Sequence, residues 1–163
     1  MKRYRGIIFL ALIVAVYYGC KKAPVFPNTP TLKFKEFLQH HGSDSLQVVF
    51  SFTDGDGDIG VAPTDTNYNM LLTVYHKNIP GHLPPWIFVP DPNSATGTDS
   101  LKYKYRIPKL TAGQNGLEGD IYITLNKGLL INIDDSLEFS AFLIDQSHHH
   151  SDTIRTPEVD LIP

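Results

Sequence analysis

Apolar residues recur at every second position in several stretches of this chain. Leu46, Val48, Phe50 and Phe52 interleave with Gln47, Val49, Ser51 and Thr53. Leu101, Tyr103, Tyr105 and Ile107 interleave with Lys102, Lys104 and Arg106. Ile121, Ile123 and Leu125 flank Tyr122 and Thr124, and Leu137, Phe139, Ala141 and Leu143 flank Glu138, Ser140 and Phe142. A period of two places alternate side chains on opposite faces of a half-buried strand. No stretch carries a sustained helical period. With the weaker runs included, the pattern predicts about eight strands, near 32–38, 45–53, 68–77, 86–89, 100–107, 118–126, 136–145 and 152–161. The connections "PGHLPP", "PDPNSATGTDS", "TAGQNG" and "NIDDS" are rich in turn formers. Many short strands separated by such breaks predict an all-β, antiparallel β-sandwich of about seven or eight strands, with a small β-barrel as the alternative architecture. Segment 108–117 is the least patterned part of the map.

The first residues break from this pattern. Lys2, Arg3 and Arg5 precede an apolar run from Ile7 to Val16, and Gly19 precedes Cys20, the single cysteine in the chain. The run is too short for a bilayer core of about 30 Å, which needs roughly 20 apolar residues, and fits a signal peptide. Gly19-Cys20 resembles the cleavage site of bacterial lipoprotein signals. The resemblance implies a leader at 1–19, a diacylglycerol on the Cys20 thiol, and attachment to a membrane through that lipid. Tyr17 and Tyr18 stand where the family usually has Leu and a small residue. Several acyl chains hold a protein on a bilayer far better than one, at about 0.8 kcal/mol per buried CH₂. "KKAPVFPNTP", Lys21 to Pro30, carries three prolines and no apolar period. It reads as a tether, making 20–30 lipidated cysteine and linker and 31–163 a single β-sandwich domain.

Charge narrows the partners. The whole chain has a formal net charge of −3. Removing the leader takes away three basic residues and no acids, so what remains is more acidic still. Lys102, Lys104, Arg106 and Lys109 lie along one strand and read as its solvated face. Nucleic acid is therefore excluded as an expected partner. With one cysteine there is no internal disulfide, and stability must come from a hydrophobic core.

The strongest candidate chemistry is "SFTDGDGDIG", Ser51 to Gly60. Asp54, Asp56 and Asp58 alternate with Gly55 and Gly57 directly after a predicted strand. Ca²⁺ takes six to eight oxygen ligands. Glycines let a loop curl so that alternate carboxylates converge. Without a cation, three close carboxylates repel and raise one another's pKa. The competing reading is a solvated turn with no ion. The spacing is similar to the first half of an EF-hand loop. Ile59 occupies the turn-glycine position, however, and Asp65 stands where the bidentate Glu belongs. The flanks are strands, so this is not an EF-hand. In immunoglobulin strand order, 45–53 would be strand B, 68–77 strand C, 136–145 strand F and 152–161 strand G. The B–C and F–G loops would then share one pole. On that arrangement Asp145 and Asp152, from "DQSHHHSD", become further candidate ligands.

Two motifs together, Phe52 to Gly60 and the later set Phe142, Asp145, Ser151, Thr153, Ile154 and Thr156, resemble a recurrent class of Bacteroidota envelope lipoproteins. The resemblance implies an Ig-like sandwich in the outer membrane or periplasm and no chemistry. Gln146 to His150 replace the "D-R-A-G-N" loop common in that class.

Other candidates are weaker. Imidazoles bind transition metals. His148, His149 and His150 nevertheless read as an exposed polar loop, because consecutive strand residues face opposite ways; His40-His41 reads the same way. Trp86, in "GHLPPWIFVPDP", is a candidate platform for a sugar or a peptide, or else an edge anchor of the core. There is no G-x-S-x-G or H-E-x-x-H, and the one thiol is committed to lipid, so an enzyme is not expected. The expectation is a lipid-anchored, non-catalytic binding or structural module stabilised by Ca²⁺, with a protein or glycan partner. A carbohydrate-binding accessory lipoprotein is the alternative.

Overall fold

The computed structural model describes residues 25–78, 80–96, 98–110, 116–131 and 136–162. The predicted leader and Cys20 lie outside these residues. Among the described residues nine strands form: β1 (Thr31–Gln39), β2 (Ser45–Asp54), β3 (Met70–Lys77), β4 (Trp86–Phe88), β5 (Lys102–Tyr105), β6 (Leu117–Asn126), β7 (Ser136–Leu143), β8 (Ile154–Arg155) and β9 (Val159–Asp160). A five-residue helix, α1 (Lys127–Ile131), follows β6. No helix among the described residues is long and apolar enough to cross a membrane.

Two antiparallel sheets pack face to face. The first has the order β1-β2-β6. In the second, β3 pairs with β7 at the centre. β4 and β5 share the other edge of β3, and β8 and β9 share the other edge of β7. This order, with β2 beside β6 and β3 beside β7, is compatible with an immunoglobulin-type sandwich. Between the sheets, Leu46, Val48 and Phe50 of β2 meet Leu72, Val74, Leu137 and Phe139 of the opposing sheet in one cluster, all at 0% exposure. A buried side chain of this size contributes about 1.5–3 kcal/mol by leaving water, which accounts for a core without a disulfide.

The structure departs from simple alternation at three points. Phe34 and Phe37 both pack against the core although three positions apart, because the register of β1 against β2 shifts between Phe34 and Glu36. A bulge of this kind turns the following side chains over. Second, the single last strand predicted at 152–161 is two short strands. Pro157 has no N–H to donate and interrupts the ladder. There Thr156 closes the gap, its Oγ1 accepting from Phe139 N at 3.0 Å while its own N donates to Phe139 O at 2.8 Å. Ser151 repeats the device on Leu143 (2.9 Å for each bond). The hydroxyls of Ser151 and Thr156 thus stand in for ladder partners along β7. Third, α1 was not expected. It begins at Lys127, a buried lysine whose Nζ donates to Ile162 O (2.5 Å) and His40 O (3.3 Å), tying the segment after β9 to the turn after β1.

A candidate cation site at one pole

Asp54 is the last residue of β2, paired with Leu117 at the start of β6. It shares the inward phase of Leu46, Val48, Phe50 and Phe52, so its carboxylate enters the end of the core and is 0% exposed. The chain then curls. Gly57 has φ 69°, which an L side chain adopts only with strain. The turn brings Asp58 back, and its N–H donates to Asp54 Oδ2 at 2.9 Å. Carboxylate oxygens of Asp54, Asp56 and Asp58 lie within 4.8 Å of one another. Asp56 is exposed and Asp58 half-buried. Two oxygens, Asp54 Oδ1 and Asp58 Oδ1, are buried with no hydrogen-bond partner among the described residues.

Burial pushes the Asp54 carboxyl up to about 6, and repulsion from Asp56 and Asp58 adds to the shift. The N–H groups of Asp58 and Ile59 oppose it without cancelling it. A buried, unpartnered carboxylate oxygen costs several kcal/mol unless a proton or a cation meets it. The three carboxylates could together hold a metal ion, with Asp54 the buried member of the set.

The loop is held from three sides. Gly55 N donates to Pro27 O at 2.8 Å, so the end of the predicted tether packs on the loop. A Cβ on Gly55 would sit 2.3 Å from Phe26 O, and one on Gly116 (φ +87°) 2.3 Å from Asp54 O. The third side is the 144–153 loop. Ile59 bridges to Asp145, Gln146 N donates to Asp58 O (3.3 Å), and Ser147 Oγ donates to Asp58 Oδ2 (2.7 Å). The two loops expected at one pole do meet there.

The other predicted ligands are placed differently. Asp145 is buried, and both its oxygens are engaged by His149, Oδ1 by the backbone N (2.7 Å) and Oδ2 by Nδ1 (2.8 Å). It shapes the loop rather than joining the three-carboxylate cluster. Asp152 is exposed and lies outside that cluster. The three histidines diverge: His149 is on Asp145, His150 stacks on Phe142 at 5.4 Å, and His148 takes a left-handed φ of 65°. Trp86 is half-buried at the sheet edge, with Lys77 Nζ 5.7 Å from its ring centre. Its neighbour Phe88 is more exposed, at 54%. Ser147, Gly116 and the Phe26–Pro27 contact escaped the sequence reading. Each acts through a residue distant in the chain, and no local pattern marks it.

No family model matches the chain, and no curated protein matches it either. Two solved structures share some of its shape. One is catalytically inactive OgpA from Akkermansia muciniphila in complex with an O-glycopeptide (glycodrosocin) substrate. The other is wild-type OgpA from the same organism. Each is 12% identical, with a TM-score of 0.39, over 83% of this chain and 30% of that one. The chain spans under a third of the length of OgpA, and a likeness of this degree carries no argument about activity.

Proposed function

We propose that this protein is a lipid-anchored component of a bacterial cell envelope whose β-sandwich is a non-catalytic binding or structural module stabilised by Ca²⁺ at one pole. The buried Asp54 carboxylate carries the reading. Its Oδ1 lacks a hydrogen-bond partner among the described residues, and a carboxylate oxygen of Asp54 lies within 4.8 Å of one each from Asp56 and Asp58. A cation there converts a destabilising cluster into a fixed loop, which already bonds the 144–153 loop through Asp58 and the end of the tether through Gly55. An ion that binds only the folded state stabilises it by RT ln(1 + [L]/Kd), about 2.7 kcal/mol at 100-fold over Kd. The anchor is proposed from Gly19-Cys20 and the apolar run before it.

Thermal melts of the full chain in detergent test the cation. Millimolar Ca²⁺ should raise Tm by roughly 10 °C over EDTA, at about 3–4 °C per kcal/mol. Asp56→Ala, at an exposed position, should lose most of that rise while folding normally. An unchanged Tm in the parent, or an undiminished rise in the variant, would rule the site out. Fatty-acid labelling tests the anchor: Cys20→Ala should take up no label and leave the membrane fraction.

A further inference from the structure

Beside the cation loop, the same pole holds an open cleft of about 610 Å³, within the range of roughly 300–1,000 Å³ usual for ligand sites. One wall is Asp65, Asn67 and Tyr68, the other Gln146 and His148, and Asn69 lies at the floor. The floor is closed to hydrogen bonding by its own partners. Ile144 N donates to Asn69 O (2.8 Å), Asn69 N to Tyr105 O (3.1 Å), and Ile107 N to Asn69 Oδ1 (2.7 Å). The walls are not closed. The side chains of Asn67, Gln146 and His148 are exposed and form no hydrogen bond within the described residues. Tyr68 presents a ring 39% exposed at the rim, with Lys104 Nζ 5.2 Å from its centre.

We propose that this cleft binds a neutral saccharide and that a cation on Asp54, Asp56 and Asp58 strengthens the binding by fixing the Gln146–His148 wall. The inference rests on the binding-module reading above. Sugar hydroxyls both donate and accept, so they match a mixture of amides, imidazole and carboxylate, and a Tyr ring covers the apolar face of a pyranose. An anionic ligand is disfavoured, because the cleft lining among the described residues holds two carboxylates, Asp65 and Asp145, and no Lys or Arg, while Lys104 reaches only the Tyr68 ring at the rim. An extended peptide would need a free strand edge, and here the floor strands are already paired. The wall is pre-shaped. Asp145 locks the turn through His149, and His148 is held at φ 65° where an unrestrained residue would not stay. The link to the cation is direct, since Gln146 N and Ser147 Oγ both bond Asp58. By reciprocity, saccharide raises cation affinity by the same factor.

The experiment applies the full chain in detergent to a printed array of neutral, sialylated and sulfated oligosaccharides and peptides, in Ca²⁺ and in EDTA. Retention by neutral oligosaccharides is expected, stronger in Ca²⁺ by at least about fivefold. Tyr68→Ala should weaken it by about tenfold or more, and Tyr122→Ser, on the far sheet, should not. Retention by acidic glycans or peptides alone, or loss in Trp86→Ala with Tyr68→Ala unaffected, would overturn the assignment. Equal retention in Ca²⁺ and EDTA would overturn the coupling. A Ca²⁺-dependent melt with no glycan retained would refute the cleft and leave the cation reading standing.

Discussion

Replacing Asp54 by Asn should stabilise this protein in EDTA and destabilise it in Ca²⁺ relative to the parent. In the metal-free protein the Asp54 carboxyl is raised from 3.8 to about 6, chiefly by burial. Below pH 3.8 the group is protonated in both folded and unfolded chains and has no effect on the balance. Between the two values the folded chain keeps a proton that the unfolded chain has released, so stability falls as pH rises. Above about pH 6 the loss is complete and amounts to about 3 kcal/mol, at 1.36 kcal/mol per pH unit. Asn is neutral throughout, and its Oδ1 can still accept from Asp58 N. In urea titrations in EDTA, Asp54→Asn should therefore match the parent near pH 4 and exceed it by up to about 3 kcal/mol at pH 7.5. In millimolar Ca²⁺ at pH 7.5 the order should reverse, because the variant lacks the inner ligand. A variant no more stable than the parent in EDTA at pH 7.5 would refute the reasoning, as would a gain that persists unchanged at pH 4.

Other substitutions probe the frame around the site. Gly116→Ala puts a Cβ 2.3 Å from Asp54 O at a left-handed φ, and should lower the urea midpoint by the equivalent of about 2–3 kcal/mol and weaken Ca²⁺ binding by calorimetry. Phe139→Ala, at 0% exposure between the sheets, should lose about 3–5 kcal/mol in the same titration. Lys127→Met keeps the length and removes the bonds to Ile162 O and His40 O. It should cost about 1–3 kcal/mol and speed hydrogen exchange in residues 159–162 more than in β3.

Much of the fold was legible because strand periodicity is local. The stretches 45–53, 118–126 and 136–145 appear as β2, β6 and β7 within a residue or two, since alternation over eight to ten residues records which face meets a core. The misreadings occurred where a contact overrode alternation. The bulge near Lys35 lets Phe34 and Phe37 share a face, and Pro157 divides the last strand where the Thr156 hydroxyl replaces a ladder bond. The candidate site was half legible. The aspartate spacing pointed to Asp54, Asp56 and Asp58. Taking β2 one residue further would have placed Asp54 in the inward phase and marked it as the buried member. Asp145 was expected among the ligands, and its carboxylate is held by His149 instead.

The amino-acid sequence alone determined an all-β sandwich, the positions of its main strands and a loop with alternating carboxylates. Each is set by residues a few positions apart, through pleat geometry and backbone freedom. Only the tertiary structure decided that Asp54 loses its water, that Asp58 is gripped by Ser147 from 89 positions away, and that Pro27 docks on Gly55. Desolvation and cross-chain hydrogen bonds depend on which distant segments the packed sheets bring together. The same packing set a polar cleft beside the acidic loop, joining two regions that the linear chain keeps apart.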